Sequence, residues 1–148
     1  MTRGYAAVGL HNPKDPDNVG GVMRAAFAYG CAAVSLSGSR PKDLRNKLNT
    51  PRGERHMPTY FVDDVLSNVP HGCSVVAVEF VMSSENLTTF AHPKQALYVF
   101  GPEDGSLPAD VLAKADHVVF VPTRCCMNLA STVNVVLYDR LQKQEAKQ

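Results

Sequence analysis

No apolar run in the sequence approaches the ~20 residues that span a bilayer, and no signal-peptide pattern opens it. Those absences lead us to expect a protein with no membrane association, resident in the cytoplasm. Cysteine is scarce. Cys31, Cys73, Cys125 and Cys126 form no CxxC pair, and adjacent Cys125 and Cys126 are poorly placed to bond each other. A reduced chain without structural zinc follows, and we expect no metal. Neither sign of charge dominates: the formal net charge is +1, so no global field advertises nucleic acid and any basic surface must be local. The GxGxxG pattern is absent, as is the Lys-Ser/Thr of a phosphate loop, so the dinucleotide and ATP-loop fingerprints fail. There is no internal repeat and no low-complexity tract.

What remains is one domain's worth of chain. Its 148 residues can bury a single core, and 45% hydrophobic with 20% charged residues is ordinary for a soluble globular protein. The most informative stretch runs from Val118 to Asp139. Val118 to Val121 is a short apolar run stopped by Pro122, which reads as a buried strand. A polar bend, Thr123 to Cys126, follows. Met127, Leu129, Val133, Val136, Leu137 and Leu141 then recur at helical spacing, with Asn128 and Ser131 where the helix begins. In α/β proteins such a strand–bend–helix puts ligands at the strand's carboxyl end. It is equally an ordinary hairpin that fills a core.

The beginning of the chain has the same rhythm. Tyr5 to Leu10 reads as a strand, and His11 to Asp17 as a loop with two prolines. Val19, Val22, Met23, Ala26 and Phe27 share a helical face, with Asp17 or Asn18 suited to the N-cap and Gly30 to the stop. The free N–H groups of that first turn can bind an anion. Cys31 to Leu36 is the next strand, completing a βαβ unit that implies a parallel sheet. Phe61 to Leu66 reads as a strand edge entering a short helix, and Ser74 to Phe80 as a strand. A polar loop from Met82 to His92 leads to the strand Gln95 to Phe100. That strand runs into Gly101-Pro-Glu-Asp-Gly-Ser-Leu-Pro108, where Gly101 and Gly105 permit close approach of backbone to a ligand, ahead of a helical stretch from Pro108 to Ala115. The whole is a single α/β domain.

One segment departs from this pattern. Arg40, Lys42, Arg45, Lys47, Arg52, Arg55 and His56 crowd between Ser37 and Thr59, offset by Asp43 and Glu54 alone. Such a segment is often a solvated face, yet a local positive patch is also what phosphate-backbone binding requires. Arg40, Lys42, Arg45, Arg52 and Arg55 are therefore candidate contacts to a nucleic-acid backbone. A thiol enzyme using Cys125 or Cys126 with His117 is a further alternative, because cysteines at a helix start can have depressed pKa values.

Three stretches together carry a resemblance. Asn18-Val-Gly-Gly-Val-Met-Arg24-Ala, Phe100-Gly-Pro-Glu103-Asp-Gly-Ser-Leu-Pro108, and Val121-Pro122 followed by Cys126-Met-Asn128-Leu resemble motifs one, two and three of the SpoU/TrmH branch of the SPOUT methyltransferases. The likeness spans the chain in order and spacing. The Met-Asn-Leu form is most similar to the small tRNA wobble-ribose methyltransferases of that branch.

The resemblance implies one domain over residues 1–148, with a mostly parallel, Rossmann-like sheet and a C-terminal trefoil knot formed by about residues 75–142. It implies S-adenosylmethionine as cofactor and S-adenosylhomocysteine as product. The pocket would be lined around Val78 to Phe80, Phe100 to Glu103 and Val121 to Leu129: Val78, Glu79, Phe80, Phe100, Gly101, Pro102, Glu103, Val121, Cys126, Met127 and Leu129. The implied reaction is methylation of a ribose 2′-hydroxyl in RNA, with tRNA as the expected substrate and wobble position 34 as one candidate site. Arg24, Asn18, Glu103 and Asn128 are the expected catalytic set, in a homodimer where Arg24 lies near the partner's cofactor. A guanidinium is normally never deprotonated, so Arg24 suits positioning better than base catalysis.

Several residues depart from the family pattern. Cys126 stands where a serine is usual, Ser106 separates Gly105 from Leu107, Thr123 replaces a methionine, and Arg124 is one place out of register. A catalytically silent RNA-binding module of the same fold remains open.

Overall fold

The computed structural model describes residues 4–41 and 56–147. Seven strands form one sheet: β1 (Tyr5–His11), β2 (Val34–Ser37), β3 (Thr59–Val62), β4 (Ser74–Val78), β5 (Glu85–Asn86), β6 (Gln95–Phe100) and β7 (His117–Phe120). The α-helices that lie wholly within the described residues are α1 (Pro16–Ala28), α2 (Ala109–Lys114) and α3 (Leu129–Glu145). The spatial order is β3-β2-β1-β6-β4-β7-β5, and every pairing is parallel. From β1 the chain builds outward through β2 and β3, and the later strands build on the other side of β1. Their carboxyl ends therefore share one edge, where such sheets bind ligands.

Both faces are covered, and the strand sequences show it. In β6, Ala96, Tyr98 and Phe100 face one layer while Leu97 and Val99 face the other, all of them buried. The first layer holds α1 and α3, whose Val19, Val22, Met23, Val133, Val136 and Leu137 pack against Val8, Leu10 and Val76. The second joins α2, through Val111, to Val65, Val75, Ala77 and Leu107. Alternation on two apolar faces accounts for the near-continuous hydrophobic runs. Where α1 meets α3, a Cβ on Gly21 would come within 2.9 Å of the Ala130 Cβ, so glycine permits that close approach.

Several boundaries differ from the sequence expectations. The helix α1 starts earlier, at Pro16, with Asp15 as N-cap accepting from the Asp17 N–H at 2.8 Å. Proline's fixed φ suits the first helical position, so Asp17 and Asn18 lie inside the helix. The strand β2 begins at Val34 because the Cys31 N–H is spent on Ala26 O at 2.8 Å, closing the helix end. Beyond β3, Asp64 Oδ1 accepts the Leu66 N–H at 2.9 Å and builds a turn where a short helix was expected. The strand from Ser74 ends at Val78, short of Phe80. The polar loop contains β5, too short to show a period.

Candidate functional site

Loops leaving β4, β6 and β7 enclose a cleft of about 460 Å³ at the carboxyl edge of the sheet. Val78, Glu79 and Phe80 come from the end of β4, and Phe100, Gly101, Pro102 and Glu103 from β6. Val121, Cys126, Met127 and Leu129 come from the bend after β7 and the start of α3. Thus every residue expected around a cofactor lines this one cleft. Thr123, Arg124 and Cys125 complete the third wall, within the expected stretch. Phe120 and Thr132 were missed. The first is a strand's last residue, and the second lies one helical turn beyond Asn128, so spacing could have found it.

The glycine-rich loop is held from outside. Glu79 Oε2 accepts the Leu107 N–H at 3.0 Å, fixing the loop's far end. A Cβ on Gly101 would lie 3.1 Å from Leu107 N and 3.3 Å from the Ser106 carbonyl carbon, so the chain doubles back tightly there. Glu103 reaches across to the loop before α1. Its carboxylate accepts from Lys14 N at 3.0 Å, Asp15 N at 2.8 Å and Asn18 Nδ2 at 3.1 Å. The anion expected near this helix start is therefore supplied by the chain itself. Burial alone would raise the Glu103 carboxyl, but these donors outweigh it and hold the pKa below the ordinary value.

The three motifs meet through one hydrogen-bonded line. Asn18 donates to Glu103, and its Oδ1 accepts from Asn128 Nδ2 at 2.9 Å. Asn128 Oδ1 in turn caps α3, accepting the Ser131 N–H at 3.1 Å. Residues separated by 85 and 110 positions in the sequence are joined this way.

Arg24 is exposed on α1 and is not part of its own chain's cleft wall. Arg40 lies near the site, but in an ion pair: its guanidinium grips Asp104 at 2.8 and 2.9 Å. Lys42, Arg45, Arg52 and Arg55 lie outside the described residues. Cys125 and Cys126 are exposed on the cleft wall. His117 instead opens β7, with its ring against Phe90 at 5.4 Å, a strand length of roughly 10 Å from the thiols' end. The structure does not bring that thiol–histidine pair together. Among the described residues no cluster of three or more His, Cys, Asp or Glu could hold a metal, and no helix is long and apolar enough to cross a membrane.

A parallel α/β domain with a cleft at its strand ends, walled by the second and third motifs and the end of β4 and tied to the first motif through Asn18, defines the class. The chain belongs to the SpoU rRNA methylase family, whose model matches residues 5–138. Among solved structures, the AdoMet-bound rRNA methyltransferase from Sinorhizobium meliloti is 21% identical with a TM-score of 0.79, covering 96% of this chain and 57% of that one. The TrmH/SpoU tRNA modifying enzyme from A. aeolicus is 19% identical with a TM-score of 0.81, covering 99% and 78%. These two show the shared fold. A structure described as giving insights into the 2-OH methylation of C/U34 on tRNA is 26% identical with a TM-score of 0.75, covering 98% and 94%. The chain spans 57–63% of the first several structures it matches, less than two thirds of their length. No curated protein matches it.

Proposed function

We propose that this protein is an S-adenosylmethionine-dependent RNA methyltransferase acting on a ribose 2′-hydroxyl, with tRNA position 34 as the favoured target. The observation that carries this is the Glu103–Asn18–Asn128 line, which holds three motifs of a methylase family around one cleft. The tRNA reading rests on the near-complete mutual coverage with the structure associated with C/U34 methylation.

The cleft fits the cofactor. Its volume of about 460 Å³ lies within the ordinary range for small-molecule sites. Val78, Phe80, Val121, Met127 and Leu129 supply apolar walls, while the tight backbone at Gly101 presents main-chain groups for adenine and ribose. Bound there, the cofactor would supply a methyl group already activated on a sulfonium sulfur. The protein's task is then alignment, an effect worth up to ~7–11 kcal/mol. Arg24 suits a substrate phosphate, which a guanidinium holds bidentately, bringing the 2′-oxygen into line. Asn18, Glu103 and Asn128 keep the cleft and α1 in register. Cys126, a weaker donor than serine, weakens any hydrogen bond made at that position.

The proposed assembly is a cytoplasmic homodimer with RNA as partner. Arg24, outside its own cleft, would serve the partner's. Val135, Tyr138 and Leu141 leave an apolar stripe exposed on α3, which suits such a seam. The placement of β7 between β4 and β5 also favours a threaded C-terminal segment, since β5 precedes β7 in the chain yet lies outside it.

Two measurements test the reading. Calorimetric titration with S-adenosylhomocysteine should show saturable binding, and none at millimolar ligand overturns it. Mass-spectrometric mapping of 2′-O-methyl groups in RNA from cells with and without the protein should show one lost site. Cofactor-free RNA binding with no lost site would indicate a silent RNA-binding module.

A further inference from the structure

Arg40 carries more of the site's geometry than a solvent-facing cation would. Its Nη1 and Nη2 grip the two Asp104 carboxylate oxygens, at 2.8 and 2.9 Å. Nη2 also donates to the Asn12 carbonyl oxygen, and the Arg40 N–H donates to Asn12 Oδ1 at 3.1 Å. Nε is buried and finds no hydrogen-bond partner among the described residues. The cradle is built for this pose. Asn12 adopts a positive φ of 48°, and Gly38, at φ 100°, lies so close that a Cβ would sit 2.5 Å from Asn12 Oδ1. Backbone in that region concentrates where surrounding structure fixes a functional geometry.

The far side of the pair explains what is being fixed. Asp104 stands between Glu103 and Gly105, both of which line the cleft, while its own carboxylate turns outward to Arg40. Within the loop the Gly105 N–H reaches Pro102 O only at 3.4 Å, a long bond, so the loop's shape depends on anchors outside it. Glu79 holds one end through Leu107, Glu103 ties the loop to the segment before α1, and Asp104 supplies the third tie.

We propose that Arg40 is a positioning residue, which by clasping Asp104 fixes the 101–107 loop in the shape that receives the cofactor, and is not a phosphate contact. This rests on the methyltransferase reading above for the identity of the ligand. The guanidinium's planar fork is committed to a carboxylate, and a bidentate pair transmits position better than a point charge. The pair is partly solvated, with side-chain exposures of 30% and 48%, so its effect on the cleft is graded.

The test compares Arg40→Ala, Asp104→Ala, the double variant and the charge swap R40D/D104R in the full chain. Three readouts apply: S-adenosylhomocysteine affinity, tRNA affinity at two salt concentrations, and hydrogen exchange of the Glu103 to Leu107 amides. Each single variant should bind S-adenosylhomocysteine roughly three- to tenfold more weakly and exchange faster in that loop. The double should be no worse than the weaker single, and the swap should recover part of the loss. The salt dependence of tRNA binding should not change. Arg40→Ala that leaves the first and third readouts untouched, or that lowers the salt slope by about one, would overturn the proposal. So would additive losses in the double variant. If Arg40→Ala fails to fold, Arg40→Lys keeps the charge without the fork and should give an intermediate loss; none overturns the proposal. Should the unaltered protein bind no S-adenosylhomocysteine, the methyltransferase reading fails. Loop exchange then decides the clasp alone: faster in the singles and restored in the swap supports it, unchanged rejects it.

Discussion

Glu103 shows how one carboxylate can tie distant segments of a site together. It satisfies two backbone N–H groups ahead of α1 and the Asn18 amide, and so ties the β6 loop to the first helix. Glu103→Gln keeps the shape but turns an amide donor toward other donors. Solvent screening holds the loss to about 1 kcal/mol. The sign of its pH dependence follows from the pKa, which is depressed in the folded protein. Its contribution is present above the unfolded carboxyl's pKa and fades as pH falls through the lower folded value. The melting-temperature gap between wild type and Glu103→Gln should therefore be full at pH 7 and shrink in acid below about pH 4.5. A gap that stays constant in acid would mean charge is not what Glu103 contributes. Asn18, Glu103 and Asn128 were singled out by the resemblance of three motifs, and the structure joins them by hydrogen bonds that no local pattern encodes. The Arg40–Asp104 pair was not, since the partners are 64 residues apart and charge spacing records no such meeting. The N-cap was misplaced because several neighbouring polar residues could each cap α1, and Pro16 selects among them.

Of the elements, α3 departs furthest from its sequence pattern. Its apolar periodicity promised a helix on the core, and the helix is there. Yet Arg140, 6% exposed, is buried with its apolar neighbours. Its guanidinium donates to the carbonyls of Pro93 at 2.8 Å, Lys94 at 3.0 Å and Tyr5 at 3.3 Å, stitching the helix to the amino ends of β1 and β6. Beside it, His92 lies between the Tyr98 hydroxyl and Asp139, both at 2.7 Å, and Lys143 pairs with Asp139. Burial pushes the Tyr98 hydroxyl up to about 12, so it stays a donor and suits a neutral imidazole. Arg140→Ala removes a donor from each of three carbonyls, of which Lys94 O keeps the Tyr5 N–H, and should cost about 3 kcal/mol, read as a lower urea midpoint. For His92, burial lowers the pKa more than Asp139 raises it. The unfolded chain therefore takes up the proton first, and this stability is full above the unfolded value near 6.5 and declines as pH falls below it. His11 is shifted the same way by burial, so the comparison must be between wild type and His92→Gln. Their urea midpoints should converge between pH 7.5 and 5.5, and parallel curves would exclude His92 as the titrating group. None of this was readable in advance, because an arginine in a helical pattern is scored as surface.

For the whole molecule, the parallel sheet was legible from the first βαβ unit, and helix-bearing crossovers between later apolar strands extended it. Strand order was not, because β7 inserts between β4 and β5 and no local pattern encodes a neighbour. The proposed dimer makes the sharpest demand at this scale: Arg24 of one protomer must complete the partner's cleft. Arg24→Ala alone should leave S-adenosylhomocysteine binding intact and cut saturated turnover by orders of magnitude, since the lost contact aligns the substrate. Gly101→Ala should fail for the opposite reason, because its Cβ would sit 3.1 Å from Leu107 N and distort the cleft. Each variant should therefore be close to inactive as a homodimer. Mixed and allowed to exchange protomers, they form heterodimers holding one intact site, the cleft of the Arg24→Ala chain completed by its partner's arginine. Random pairing makes half the dimers mixed, so recovered activity should approach about a quarter of wild type. Were Arg24 to act within its own chain, each heterodimer site would lack either the arginine or the cleft. No activity would then return, although exchange, followed by native mass spectrometry, had taken place.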